Sequence, residues 1–373
     1  MIIKNNSKKF FIVTIILLVI SLGITGVAGY LLDPAMYYRI PKYKTYCTEQ
    51  YTTAGIIKNS SAKIAIIGSS MMQNTNVDLV ENEFNLEAKR YTLSGMTIDE
   101  IVMLVNRAIM VENNVDIFII NLDISMFNSE KDNAFNRLPK YIYDENKIND
   151  IKYLLGYDVW FKFIPFNLAY NLACNIDTTI TNSIEEKFKN PTTVDLMGNW
   201  SDTSFGEDIV KDKYISGSEA VSKQNVEGML QRMIKRFDED FYPTFKVNNN
   251  KEFKFIFPPY SALMWYNAEQ EGYMDILLNF KKYIVERFEN IANVEVYDFQ
   301  DYDDITNLDN YKDTTHYSTE FNDMIIKDIS NKNNIINLEN VDIRIIKLRN
   351  LLEEFKEKEK EWLWSIKLEN DYS

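Results

Sequence analysis

The chain has 373 residues, 46% of them hydrophobic, which is enough for a sizeable core and too apolar for a disordered polymer. The 55 acidic residues outnumber 41 basic ones, and a net charge near −14 argues against nucleic acid or anionic lipid as the main partner. One histidine and two cysteines, Cys47 and Cys174, supply no zinc ligand set, and no cofactor is expected; no EF-hand-like loop is present, and a carboxylate-bound Ca or Mg stays open on composition alone.

In chain order, Lys4, Lys8 and Lys9 precede an uncharged run of 23 residues, Phe10–Leu32. As a helix it is about 34 Å long, enough to cross a bilayer. Residues 1–9 are therefore expected as a cytoplasmic tail and 10–32 as an uncleaved anchor. A signal-peptide apolar region is usually shorter, although the small residues Gly26 and Ala28 leave cleavage as the alternative. The leading lysines, opposed by Arg39, Lys42 and Lys44 after the span, place the body of the protein outside the cytoplasm. Residues 33–59 lack a helical or strand period and are expected to be a linker.

A β/α alternation then begins. KIAIIG (63–68) has the profile of a buried parallel strand, followed by a helix near Val77–Phe84. KRYTL (89–93) is a second strand, ending in Ser94-Gly95-Met96-Thr97; a helix follows from Thr97, with Asp99 and Glu100 in its first turn. DIFIINLD (116–123) is a third strand. The aromatic, Asn/Asp-rich middle, about 127–215, breaks the pattern and is expected as an inserted cap or wall. Its Trp160, Phe161, Phe163, Phe166 and Tyr170 have two readings, sugar stacking or cap core, and core is the commoner use. Ser216–Phe241 reads as helical, FKFIFP (253–258) as strand four, Ala268–Asn290 as a helix and VEVYDF (294–299) as strand five. A helix near Thr319–Ser330 follows. In the C-terminal segment 336–373, Ile345, Leu348, Leu351, Leu352 and Phe355 share one helical face suited to docking on the domain. This order predicts an α/β domain over 60–335, a three-layer, mostly parallel five-stranded sheet.

In such sheets ligands bind beyond the C-terminal strand ends, where the polar motifs fall. YKDTTHYS (311–318) carries the only histidine, His316, three residues after Asp313, so one turn can bring a carboxylate to an imidazole. Alone, the spacing is equally that of a polar surface loop. Ser70 follows the first strand and Gly68, where a nucleophile or an ordinary N-cap would stand. Gly95 suits either an oxyanion-binding N–H or a tight turn. Together these residues occupy the strand ends where a single site would form.

The order IIGSS, LSGMT, a strand ending in NLD, and DTTHYS resembles the SGNH/GDSL hydrolase superfamily over about residues 60–335, apart from the insertion. The resemblance implies a flavodoxin-like fold and a triad with Ser70 as nucleophile, His316 as base and Asp313 as its orienting acid, with Gly95 at the oxyanion hole. Two positions depart from the family pattern. Ser69 replaces the aspartate of G-D-S, as in the membrane-anchored branch that includes the D-alanyl transfer protein of lipoteichoic acid and alginate O-acetylation proteins. Asn121-Leu122-Asp123 stands where Gly-x-Asn-Asp is expected, so Asn121 or Asp123 is the oxyanion side-chain candidate. A carboxylate is a poor one unless protonated or turned away.

That branch implies a membrane-anchored serine acyltransferase or esterase acting on a cell-envelope polysaccharide or teichoic-type polymer. It also implies an acylated donor and a membrane-bound O-acyltransferase partner. Transfer and hydrolysis use the same residues. The alternative is a catalytically inactive scaffold or glycan-binding surface protein.

Overall fold

A computed structural model describes residues 2–39, 45, 47–111, 115–128, 137–176, 205–216 and 225–372. The chain divides into two units, Ser61–Asn136 with Met197–Ser373, and Met1–Ser60 with Arg137–Leu196.

At the centre of the first lies an all-parallel sheet of β1 (Ile64–Gly68), β2 (Ala88–Thr92), β3 (Ile117–Asn121), β4 (Glu252–Phe257) and β5 (Val294–Asp298), ordered β2-β1-β3-β4-β5. Each strand falls within two residues of its expected run at either end. β1 is buried along its whole length and β3 nearly so, because helices cover both faces of a parallel sheet. The direction of winding reverses between β1 and β3, which opens a crevice at their C-terminal ends. The register pairs Gly68 with Thr92 and Ile67 with Ile120, so these ends are level.

Helices Val77–Phe84, Ile98–Met110 and Thr319–Ser330 stand where expected. The expected Ala268–Asn290 helix is instead two, Ala262–Gln270 and Met274–Phe288, because Gly272 adopts φ +78° and terminates the first. Of the expected Ser216–Phe241 helix, residues 217–224 lie outside the described set. The remainder contains the α-helix Met229–Arg236 and a π-turn, Phe237–Phe241. That turn sends Phe237 and Phe241 into an aromatic core with Phe127, Phe245 and Phe255, with Phe241 and Phe245 rings 4.5 Å apart. The helix Val341–Lys358 docks through Val341, Leu348, Leu351, Leu352 and Phe355, close to the expected face; Ile345 is only half-buried.

Fully buried Lys281 forms an ion pair with fully buried Asp298 at the end of β5. Arg344 adds contacts to Asp298 Oδ2 at 3.4 Å and Asp301 Oδ1 at 2.6 Å. The helix Val341–Lys358 is thereby tied to the start of the loop that carries His316.

In the other unit the helix Ile2–Leu32 contains Ser7–Leu32, a stretch long and apolar enough to cross a membrane. The stretch 33–59 was expected as a linker; its described residues are folded. The buried carboxylate of Asp33 accepts from the N–H groups of Tyr37 (2.9 Å), Tyr38 (2.8 Å) and Arg39 (3.1 Å) and from the Tyr153 hydroxyl (2.9 Å). Burial pushes the Asp33 carboxyl upward, and those bonds oppose the shift. A helix, Glu49–Asn59, follows.

Nor is the 127–215 insertion a single body. Residues 137–176 fold with the N-terminal segment, whereas the helix Glu207–Ile215 belongs to the sheet unit. Residues 129–136 and 177–204 lie outside the described set. Tyr143 donates to Gln50 O at 2.6 Å, and the Tyr51 and Tyr141 hydroxyls are 3.1 Å apart. Of the insertion aromatics, Phe163 and Tyr170 are buried, Trp160 is half-buried, and Phe161 and Phe166 are exposed. Cys47 is a buried free thiol, while the Cys174 side chain lies outside the described set.

Candidate active site

Ser70 opens a four-residue helix, Ser70–Gln73, immediately beyond β1. Gly68 is required just before it. A Cβ at that position would lie 2.5 Å from Met72 Cγ and 2.9 Å from Asn121 Cβ, closer than carbon atoms approach. Gly68→Ala is expected to cost about 1–3 kcal/mol through overpacking and to shift the Ser70 turn. Thermal melting together with covalent labelling of Ser70 measures both effects.

YKDTTHYS forms a closed loop after β5. Tyr311 and Tyr317, both fully buried, bridge antiparallel at its neck, and Lys312 N donates to His316 O at 3.1 Å. The Tyr311 hydroxyl donates to Pro259 O (2.8 Å), and the Ser261 hydroxyl donates to Thr314 O (2.6 Å). The two tyrosines that frame the motif therefore anchor it, and of the residues between them Thr315 and His316 line the crevice.

Within this frame the three expected triad residues meet. Ser70 Oγ lies 2.7 Å from His316 Nε2, and His316 Nδ1 lies 2.6 Å from Asp313 Oδ2. The other carboxylate oxygen, Asp313 Oδ1, accepts the backbone N–H groups of His316 (2.7 Å) and Thr315 (2.9 Å). Burial alone would raise the Asp313 carboxyl; the His316 and Thr315 bonds outweigh it and hold it at about 2. An ionised Asp313 accepts from Nδ1–H, which leaves Nε2 as the acceptor of the Ser70 proton. This arrangement can activate a hydroxyl nucleophile.

A second set of bonds fixes the Ser70 turn to the helix that follows the histidine loop. Asn322 donates to Met71 O at 3.2 Å, and Asn74 Nδ2 donates to Thr319 Oγ1 at 2.6 Å. Asn74 and Asn322 carry no recognisable motif, and only the packed structure reveals their role in registering the two halves.

The site opens into a cavity of about 290 Å³, small for a ligand pocket. Ser70, His316, Gly95 and Asp123 line it, with Met71, Met96 and Met126 as its apolar wall and Thr97 and Thr315 as further polar groups. Thr315 was within reach of sequence reasoning because it belongs to the DTTH motif. Thr97 serves chiefly as an N-cap, in a capping box with Glu100.

Gly95, with φ +58°, stands on the wall as expected. Asn121 does not: it is fully buried below Gly68, with no hydrogen bond on its side-chain amide. Asp123 reaches the wall, but its Oδ1 accepts from the Ser125 N–H (3.0 Å) and hydroxyl (2.6 Å). Neither residue presents a side-chain donor to the cavity in this arrangement. Among the described residues, no three of His, Cys, Asp or Glu gather into a metal-binding group.

No protein-family model matches this chain, and no curated protein matches it.

Proposed function

We propose that the chain is a membrane-anchored serine acyltransferase or esterase of the SGNH/GDSL type, with its sheet unit outside the cytoplasm. Its acceptor or substrate is a cell-envelope polysaccharide or teichoic-type polymer. The observation that carries this reading is the continuous Ser70–His316–Asp313 chain at 2.7 and 2.6 Å, contributed by residues 246 positions apart and opening into a cavity.

In the proposed reaction Ser70 Oγ attacks the carbonyl carbon of an acyl ester while its proton passes to His316 Nε2. Backbone N–H groups at Ser70 and Gly95 are assigned to the developing oxyanion. As the ester C–O bond breaks, His316 returns the proton to the departing alkoxide, leaving an acyl-Ser70 ester. An acceptor hydroxyl then gives its proton to His316, attacks the acyl carbon, and displaces Ser70 Oγ, which recovers the proton. A sugar hydroxyl makes the outcome transfer, and water makes it hydrolysis. A membrane-bound O-acyltransferase is the partner that would supply the acyl group.

A fluorophosphonate probe applied to the solubilised full chain tests the nucleophile. Labelling is expected on Ser70 and is abolished in Ser70→Ala. Folded protein that takes no label favours the inactive scaffold instead.

A further inference from the structure

The segment 159–176, VWFKFIPFNLAYNLACNI, has one charged residue, Lys162, in two consecutive helical pieces, the π-turn Val159–Phe163 and the helix Ile164–Ile176. Its inner face is accounted for: Val159, Phe163, Ile164 and Tyr170 are buried within the unit. Apart from Lys162, the outer face is also apolar. Phe161 is 70% exposed, Leu168 58% and Leu172 62%, with Pro165 exposed between them. A surface helix in water carries polar residues on that side, and one apolar all round is in protein or in lipid.

The turn before this segment indicates which. A Cβ on Gly29 would lie 2.7 Å from the Leu154 carbonyl oxygen, and one on Gly26 would lie 4.0 Å from Leu155 Cδ2. Both glycines are inside the apolar stretch Ser7–Leu32, and Gly29 is about 5 Å of helix from its polar end. Small residues at this depth permit close backbone approach, as in membrane-helix contacts. Tyr157 and Trp160, aromatics of the kind that populate membrane–water boundaries, stand at the start of the apolar segment. Lys162 pairs with Asp158 at 2.6 Å and has a stem long enough to snorkel.

We infer that the Val159–Ile176 segment is an interfacial membrane helix, embedding Phe161, Leu168 and Leu172 in the acyl-chain boundary beside the spanning helix. The inference rests on reading Ser7–Leu32 as a membrane anchor. Attachment here is by apolar burial, so zwitterionic lipid suffices despite the acidic chain.

The test uses the full chain in phosphatidylcholine vesicles doped with a phospholipid bearing a photoactivatable diazirine on its acyl chain. Irradiation and peptide mapping are expected to give adducts within Phe161–Leu172 as well as Phe10–Leu32. In the variant Phe161→Glu, Leu168→Glu, Leu172→Glu, the adducts within 161–172 fall about tenfold while the anchor adducts persist. Adducts on the anchor alone, as when a second copy shields the outer face, overturn the inference and leave the anchor reading standing. Adducts on neither overturn both.

Discussion

Under the proposed mechanism, replacing His316 with alanine lowers acyl turnover by about six orders of magnitude, leaving only what binding and oxyanion contacts provide. The expectation is sharp because the sequence holds no second histidine to act as a substitute base. Folding is not the confounding variable. The side chain is 26% exposed, and the backbone N–H that donates to Asp313 Oδ1 survives in alanine. What is lost is the Nδ1–H bond to Asp313, worth about 1–3 kcal/mol of stability, together with the Nε2 contact to Ser70. Release of p-nitrophenol from an acyl ester measures turnover, and circular dichroism confirms the fold. Unchanged turnover in a folded His316→Ala protein would remove the proposed mechanism.

Asp313→Asn separates orientation from architecture. The amide oxygen still accepts the His316 and Thr315 backbone N–H groups. Its NH₂, however, donates toward Nδ1 and forces the imidazole proton onto Nε2, where it faces Ser70. That tautomer has no lone pair for the serine proton, and a loss of about 10⁴ in kcat is expected. The same substitution changes the acid response. Asp313 is held at about 2, below its ordinary value of 3.8, so its contribution is complete above pH 4 and is lost as pH falls toward 2. That contribution is about 2 kcal/mol. The melting temperatures of wild type and Asp313→Asn should therefore converge as pH falls from about 4 to about 2. A difference independent of pH in this window contradicts the buried charge.

The sheet was legible because each strand is a compact apolar or β-branched run, and parallel strands buried on both faces cannot hide that pattern. The meeting of Ser70, His316 and Asp313 was legible because Gly68-Ser69-Ser70 and Asp313–His316 are contiguous motifs at strand ends. The path 33–59 was not: the helix Glu49–Asn59 buries Thr52, Thr53, Ala54, Gly55 and Ile57, of which only isoleucine advertises a core. Its stability derives from tertiary packing that local propensity does not encode. The division of the insertion was hidden for a related reason. Residues 137–176 join a segment more than a hundred positions earlier through contacts such as Tyr153 with Asp33, and no local period announces such a partner. The fates of Asn121 and Asp123 depend on where the chain turns after β3. Two positions separate a fully enclosed amide from a carboxylate on the cavity wall.

The 246-residue separation between Ser70 and His316 has a consequence for the life of the chain. During synthesis the serine emerges early and the histidine late, and the two meet only after the fifth strand joins the sheet and the tyrosine-framed loop closes. Until then Ser70 is an ordinary alcohol, inert toward esters. Under the proposed mechanism reactivity is acquired at once, near the end of folding, so a nascent or truncated chain cannot acylate itself or its surroundings. Time-resolved labelling of Ser70 would thus serve as a clock for completion of the fold.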